Sequence, residues 1–377
     1  DYIIQEALRN TNQFLFKLDK EVDFKFLFRA KFVETYKGKC SLGAPSYVPE
    51  MLLKMLFLSY LFKLSERDVE RVVNDSISMK VFLGLSLEEA APDHSSLTRF
   101  KDRVLYYETR QAELGKDKDI FKEVFDEIIL LAQEKGIDLG FVQALDSTHT
   151  IADVNVKKEK KRTKNKSDGG GGKSKRDKDA RWGTKRVKEI TTINGKKAKV
   201  RECYFGYKNH FSVNADTNLI TSYKVTSMEV YDGHYFLPLL QDDIRKSLIR
   251  PLKTIYTADK AYHDGENHAW LNQYKLLDAI DLKNVKEEDK TKSGKPKARF
   301  TQYTKQKQFE EGLSQRYTVE RVNGDVKKWH GLDRARYLGL QKMRIQTAVT
   351  ALAHNLKTLV KLWTGTGLRT PVTVHVS

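Results

Sequence analysis

QRYTVERVNGDVKKWHGLDRARYLGL, residues Gln315–Leu340, repeats at helical period. Arg316, Glu320 and Lys327 fall in a narrow stripe, because offsets of four and seven residues return to one face. Val319, Val322, Val326 and Trp329 fall on the opposite side and give that side a core to bury against. A carboxylate flanked on its own face by an Arg and a Lys suits joint binding of a metal and a phosphate. A lone R-x3-E is more often an ordinary exposed ion pair. The weight of this helix therefore depends on its company elsewhere in the chain.

The 377 residues allow two or three domains and a sizeable core. Hydrophobic content of 40% and aromatics at 10% are ordinary, whereas a formal charge of +18 is not. Such a surplus favours a polyanionic partner, nucleic acid first and an anionic membrane surface second. Cys40 and Cys203 are far apart and lack CxxC spacing, which argues against a disulfide framework or thiolate zinc and fits a reducing cytosol. No apolar run approaches the roughly 20 residues of a membrane span. The cluster Met51–Leu64 is interrupted by Lys54, Ser59 and Lys63 and reads as a buried helix. No signal-peptide pattern follows Asp1, and the absent initiator Met implies a few missing residues.

Residues 1–44 space their phenylalanines as short helices do. From Val48 to about Leu105 the pattern is strongly helical, with a capping box expected at Ser65. After Pro92, Asp93 or Ser95 should cap a helix whose polar side carries Arg99, Lys101 and Arg103. The pattern leaves two options equally open: a helix-turn-helix-like DNA module, or a plain bundle with a solvated basic face. Ile120–Lys135 is an amphipathic helix with Gly136 at its stop. Residues 157–202, Lys-rich with a GGGG run, are expected to form a mobile basic loop. Strands are expected at Tyr204–Val213, Leu219–Val230, Thr254–Thr257 and Leu277–Leu282. A helix is expected over His234–Leu248, and an apolar stripe marks Gln341–Trp363. Residues 283–307 read as Lys-rich loop, and Gly365–Ser377 as a loose tail.

Two carboxylates end β-like runs: Asp146 after Phe141-Val-Gln-Ala-Leu, and Asp259 in YTADKAY. Strand ends are exposed at the sheet rim, where α/β active sites gather. Each has a structural alternative, Asp146 as a cap and Asp259 as a turn residue. Joined by Glu320 in β, β, α order, in a basic protein, the three read best as a metal set. Hard oxygen donors without a Cys or His cluster favour Mg²⁺ or Mn²⁺ over zinc. Two such ions about 3.5–4 Å apart serve phosphodiester cleavage.

The strings DSTHT, FGYKNHFSVNAD, YTADKAYHDG and VERVNGDVKKWHGLDRARYLGL resemble those of bacterial insertion-sequence DDE transposases. PDHSSLTRFKDR resembles the end of the helical N-terminal domain common in that group. The resemblance spans most of residues 45–360. It extends to the group's Y-x2-R-x3-E-x6-K signature, which Arg316, Glu320 and Lys327 match while Leu313 stands at the tyrosine position.

The resemblance implies an α/β fold, an RNase H-like mixed sheet flanked by helices, preceded by an all-helical DNA-binding domain. The corresponding division is 1–135 helical DNA-binding and dimerisation region, 136–363 catalytic domain with a basic insert at 157–202, and 364–377 tail. It implies Asp146, Asp259 and Glu320 as catalytic residues binding two Mg²⁺ ions, with Mn²⁺ as substitute. Arg316 and Lys327 would hold phosphates, and Lys208, His210, Arg99 and Lys101 are the further candidates for DNA contact. His149 and His234 read as rim histidines. The implied activity is endonucleolytic cleavage at terminal inverted repeats and strand transfer into target DNA. The implied protein is a homodimer with no membrane association, in the bacterial cytoplasm at the nucleoid. A nuclease on the same fold and a domesticated DNA-binding protein are the alternatives.

Overall fold

The computed structural model describes residues 13–36, 46–159, 176–191, 197–283, 307–365 and 367. The expected loops at 160–175 and 284–306, Cys40 and the tail from 368 lie outside the described residues. The chain divides into two compact units, one of Asp1–Ile137, Asp325–Gly331 and Ala348–Ser377, the other of Asp138–Gly324 and Leu332–Thr347.

The first unit is built from α1 (Phe14–Glu21), α2 (Phe24–Val33), α3 (Pro49–Leu61), α4 (Glu66–Asp75), α5 (Ile77–Leu83), α6 (His94–Glu113) and α7 (Ile120–Glu134). The expected caps form. The Ser65 hydroxyl accepts from Asp68 N at 3.1 Å, Asp93 accepts from Ser96 N at 3.0 Å, and Gly136 ends α7 at φ +82°. Helix α3 has almost no polar face, so Leu53, Met55, Leu56, Phe57, Leu58 and Tyr60 are all fully buried. Around it an aromatic cluster packs edge-on for Phe24 against Phe28 and Phe82 and for Phe32 against Phe121, and tilted for Phe24 against Phe57 and Phe32 against Phe100.

The second unit holds one six-stranded sheet of β1 (Val142–Ile151), β2 (Arg181–Thr191), β3 (Lys197–Asn214), β4 (Ile220–Ser227), β5 (Ile255–Ala258) and β6 (Leu277–Ile280). Its order is β2-β3-β1-β5-β6, with β4 also pairing β3. β1, β3 and β4 are antiparallel neighbours, while β1, β5 and β6 run parallel. Helices α8 (Phe236–Arg245) and α9 (Gly265–Gln273) cross over on one face, where Phe236, Leu239, Leu240 and Leu271 bury Leu145, Tyr256, Ala258 and Ile280. The other face carries α10 (Lys307–Gln315), whose Phe309 and Leu313 pack on Val142, Ile255 and Ala279. Gly312 permits this approach, since a Cβ there would stand 2.3 Å from Ala279 Cβ. Helices α11 (Tyr317–His330) and α12 (Leu340–Thr364) give their first turns to this unit and their later turns to the helical one. The expected stripe on α12 is buried, with Val349, Leu356 and Leu359 at 0% exposure. This is the RNase H-like mixed sheet with flanking helices and a helical N-terminal region.

Two expectations need correction. The basic insert 157–202 is not loop throughout. β2 pairs antiparallel with the first half of β3, from Arg181↔Gly206 to Thr191↔Lys197. A ladder satisfies backbone groups whatever the side-chain charge, so composition concealed the ribbon. Asp146 does not end a short strand either. The parallel ladder with β5 stops at Leu145↔Ala258, but the antiparallel ladder with β3 runs on to Ile151↔Gly206.

Candidate active site

The parallel register decides where the two aspartates stand. Leu145 pairs with Ala258, so Asp146 and Asp259 are the next residues on neighbouring strands. Asp259 keeps extended backbone at φ −76° and ψ 177°, so alternation points it to the same face as Thr257 and Asp146. That face carries Val142 and Ile255 under α10. Each Asp is held in place. Asp259 Oδ1 accepts from Ala261 N at 2.8 Å as cap of the turn Lys260–Tyr262, and Asp146 Oδ2 accepts from Asn323 Nδ2 on α11 at 3.0 Å.

Burial pushes the Asp146 carboxyl up to about 7, with the charges of Asp259, Asp232 and Glu320 adding and a Ser147 N–H bond opposing. Burial also raises Asp259, where Asp232 and Asp281 add to the effect and Arg316 opposes it. Glu320 and Arg316 therefore belong to the same electrostatic neighbourhood as the aspartates. Glu320 is half exposed and bound to Arg316, Oε1 to Nη1 at 2.6 Å. Among the described residues no group of three or more His, Cys, Asp or Glu is close enough to hold a metal ion. Hard oxygen donors are the kind a divalent cation takes, but in this arrangement they do not close around one; among the described residues Asn323 Oδ1 and the Tyr262 hydroxyl are buried without a partner.

The other expected contacts are placed differently. His210 is fully buried, stacked 4.5 Å from Tyr235 with Nε2 on Thr226 Oγ1 at 3.0 Å, and burial lowers it to about 4. It cannot touch DNA. Lys208 is spent on Asp232, Nζ to Oδ1 at 2.8 Å, and Lys101 is buried against Glu66. In this structure the expected DNA contacts at Lys208 and Lys101 are thus engaged within the protein. Arg99 is exposed on α6. Lys327 lies seven residues beyond Glu320 on α11, in the turns that belong to the helical unit. His149 stacks on Tyr204 at 4.2 Å, and His234 is exposed beside Tyr231. Sequence reading missed Asn323, Asp232 and Tyr262. Asn323 carried a signal, since it follows Glu320 by one helical turn. Asp232, five residues past β4, carried none.

No described helix is long and apolar enough to cross a membrane. Over 181 residues the chain is 27% identical to the transposase for insertion sequence element IS1106 of Neisseria meningitidis serogroup B, a match covering 48% of this chain and 51% of that protein. The chain thus spans about half the length of the curated relative it matches. Among solved structures, the piggyBac transposase synaptic complex with hairpin DNA aligns at 10% identity over 97% of this chain and 79% of its own, with TM-score 0.44. The Mos1 transposase paired-end complex with left transposon end aligns at 10% identity over 81% and 87%, with TM-score 0.20. Residues 3–103 match the family described as Transposase domain (DUF772). A second match, to the Transposase DDE domain, takes in residues 167–356, half of the chain, with β2 to β6, Asp259 and Glu320 inside it and Asp146 before it. With half of its length matched by that family, this protein belongs to the family of transposases with a DDE domain.

Proposed function

We propose that this chain is a DNA transposase that binds the terminal inverted repeats of an insertion sequence and catalyses divalent-ion-dependent strand cleavage and strand transfer. The observation that carries the reading is the Leu145↔Ala258 register, which sets Asp146 beside Asp259. Helix α11 brings the Glu320 charge to bear on Asp146. Asp146, Asp259 and Glu320 are the residues to hold two Mg²⁺ or Mn²⁺ ions. Bound there, the ions would polarise the attacking oxygen and the phosphate.

The chain's own groups have definite tasks. Asn323 fixes the orientation of Asp146 through its amide. Glu320 must let go of Arg316 to join the aspartates, and the guanidinium so released is free to grip phosphate oxygens in a planar fork. Lys327 on the same helix stripe is a second phosphate contact. In cleavage, water attacks phosphorus and the 3′-oxygen leaves. In transfer, that 3′-hydroxyl attacks a target phosphodiester and displaces the target's own 3′-oxygen. Holding two ends for these steps requires at least a dimer, and the helical unit, with Arg99 exposed on α6, is the candidate for binding the ends.

The test is cleavage of an end-bearing duplex, then joining of a pre-cut end, with Mg²⁺ or Mn²⁺. Asp146→Asn, Asp259→Asn and Glu320→Gln should each abolish cleavage while leaving duplex binding largely intact. Cutting without joining would make the protein a nuclease. Binding without either reaction would leave a DNA-binding relic.

A further inference from the structure

Helix α11 carries a glycine that the fold does not ask for. Gly324 lies in the helix interior without a positive φ, and a Cβ there would meet nothing within 4 Å. Glycine in mid-helix destabilises the helix relative to alanine, because more backbone freedom is lost on folding. At Gly312 the contact with Ala279 explains the missing side chain. Among the described residues no neighbour explains it at Gly324. The remaining physical reason for a bare backbone is close approach by something outside the chain.

The residues around Gly324 indicate what approaches. At about 100° per residue, Gly324, Tyr317 and Arg321 lie about 40°, 60° and 100° around the helix from Glu320. Asn323, which donates to Asp146, lies about 60° from Glu320 in the opposite direction. Tyr317, Glu320, Arg321 and Gly324 are all exposed. Arg321 is fixed on this arc from two sides. Its guanidinium stands over the Tyr317 ring, 5.6 Å from the centroid, and its Nη2 donates to Asn218 Oδ1 in the turn between β3 and β4. A planar fork held at one edge and against an aromatic ring keeps its other donors in a set direction. The carboxylate on the arc, Glu320, is paired with Arg316. A fixed guanidinium beside bare helix backbone suits a sugar-phosphate chain, whose phosphates accept from the fork while its sugars lie where a side chain would stand.

We propose that Gly324, Tyr317 and Arg321 form a track for the DNA strand next to the candidate site, with the sugar-phosphate backbone against Gly324 and a phosphate held by Arg321. The inference rests on the reading of this chain as a DNA transposase. A strand running from the aspartates past Glu320 meets Gly324 first and Arg321 after it. Tyr317 is a positioning residue for the guanidinium. Such a contact sets the path of the strand and reads no sequence.

The experiment is fluorescence anisotropy of the whole chain with a labelled duplex of arbitrary sequence, repeated at several salt concentrations, with thermal melting as the check of folding. Arg321→Ala should bind about tenfold more weakly, the loss of one charge-assisted hydrogen bond. Its salt slope should fall by about one, since one phosphate contact is gone. Arg321→Lys should keep the slope and recover part of the affinity. If Arg321→Ala melts lower, Arg321→Gln, which keeps a donor for Asn218, takes its place. Gly324→Leu adds bulk but no charge, so it should weaken binding to a similar degree with the salt slope unchanged. Gly324→Ala should melt higher than wild type. A lower melting temperature there would give the glycine an internal role and overturn the track, as would wild-type affinity in either Gly324→Leu or Arg321→Ala. A wild type without salt-dependent affinity for the duplex would instead overturn the transposase reading, and the track with it.

Discussion

Asn323 Nδ2 on α11 donates to Asp146 Oδ2 on β1 at 3.0 Å, joining the late helix to the first strand across 177 residues of sequence. Among the described residues, the same amide leaves its Oδ1 buried without a partner. One side chain thus both orients the first aspartate and offers a free hard oxygen beside it. An ordinary packing asparagine would have both ends satisfied.

Asn323→Ala should therefore slow single-turnover cleavage by about 10- to 100-fold, the range for losing a partner that orients a metal-binding carboxylate. Duplex binding should change little. Loss of thermal stability with an unchanged rate would assign Asn323 to packing alone.

Arg316 and Glu320 form an exposed i,i+4 pair in the free protein. If the pair were only that, Arg316→Ala would cost about 0.5 kcal/mol of stability and nothing in rate. As a phosphate donor its charge matters most while negative charge builds at phosphorus. Arg316→Ala should then slow cleavage by on the order of 10²-fold, with end binding weakened far less. Arg316→Lys should recover only part of the rate, because a point charge does not replace the fork. Equal small losses in rate and binding would return the pair to the surface.

The two aspartates were legible because each follows a short apolar run, FVQAL and TIYTA, of the kind that enters a buried parallel strand. Helix periods and the caps at Ser65 and Asp93 were legible for the same local reason. What escaped depends on distant partners. Nothing in PDHSSLTRFKDR says that Lys101 turns inward to Glu66 while Arg99 stays out, and nothing near Lys208 names Asp232. Asn323 needed the docking of α11 on β1, a tertiary fact. β2 was hidden because Lys185, Arg186, Lys188 and Glu189 interrupt any period-two apolar pattern.

The contrast between Lys101 and Arg99 can be measured. Lys101 is paired with Glu66 at side-chain exposures of 2% and 16%. Lys101→Met strips the ammonium from the partly buried Glu66, whose carboxylate keeps the Thr98 hydroxyl, and should destabilise by about 2–3 kcal/mol, just below the range for a fully buried pair. The fraction that stays folded should bind duplex normally. Arg99→Ala should do the reverse, lowering duplex affinity and its salt dependence without a change in melting temperature. Loss of affinity in folded Lys101→Met would return that lysine to the DNA-facing surface.

The helical unit carries a built-in sensitivity to acid at His330. The ring is fully buried, and its Nδ1 donates to Tyr60 O at 3.1 Å. Burial, with the nearby His354 and Lys357 adding to it, lowers its pKa from the usual 6.5 to about 3. Between these values the unfolded chain takes up a proton that the folded chain refuses. The unfolded state then binds more protons, so stability rises with pH and falls on acidification. The loss begins below the unfolded value near 6.5 and approaches about 1.4 kcal/mol per pH unit, continuing to about pH 3. His330→Asn keeps an N–H for Tyr60 but cannot titrate. At pH 7.5 it should be less stable than wild type, because the amide fills the site less well. By pH 5 it should regain about 2 kcal/mol relative to wild type. Urea melts of both proteins at the two pH values cancel the histidines they share, His210 included. A stability difference that does not move with pH would show that His330 takes up its proton inside the fold.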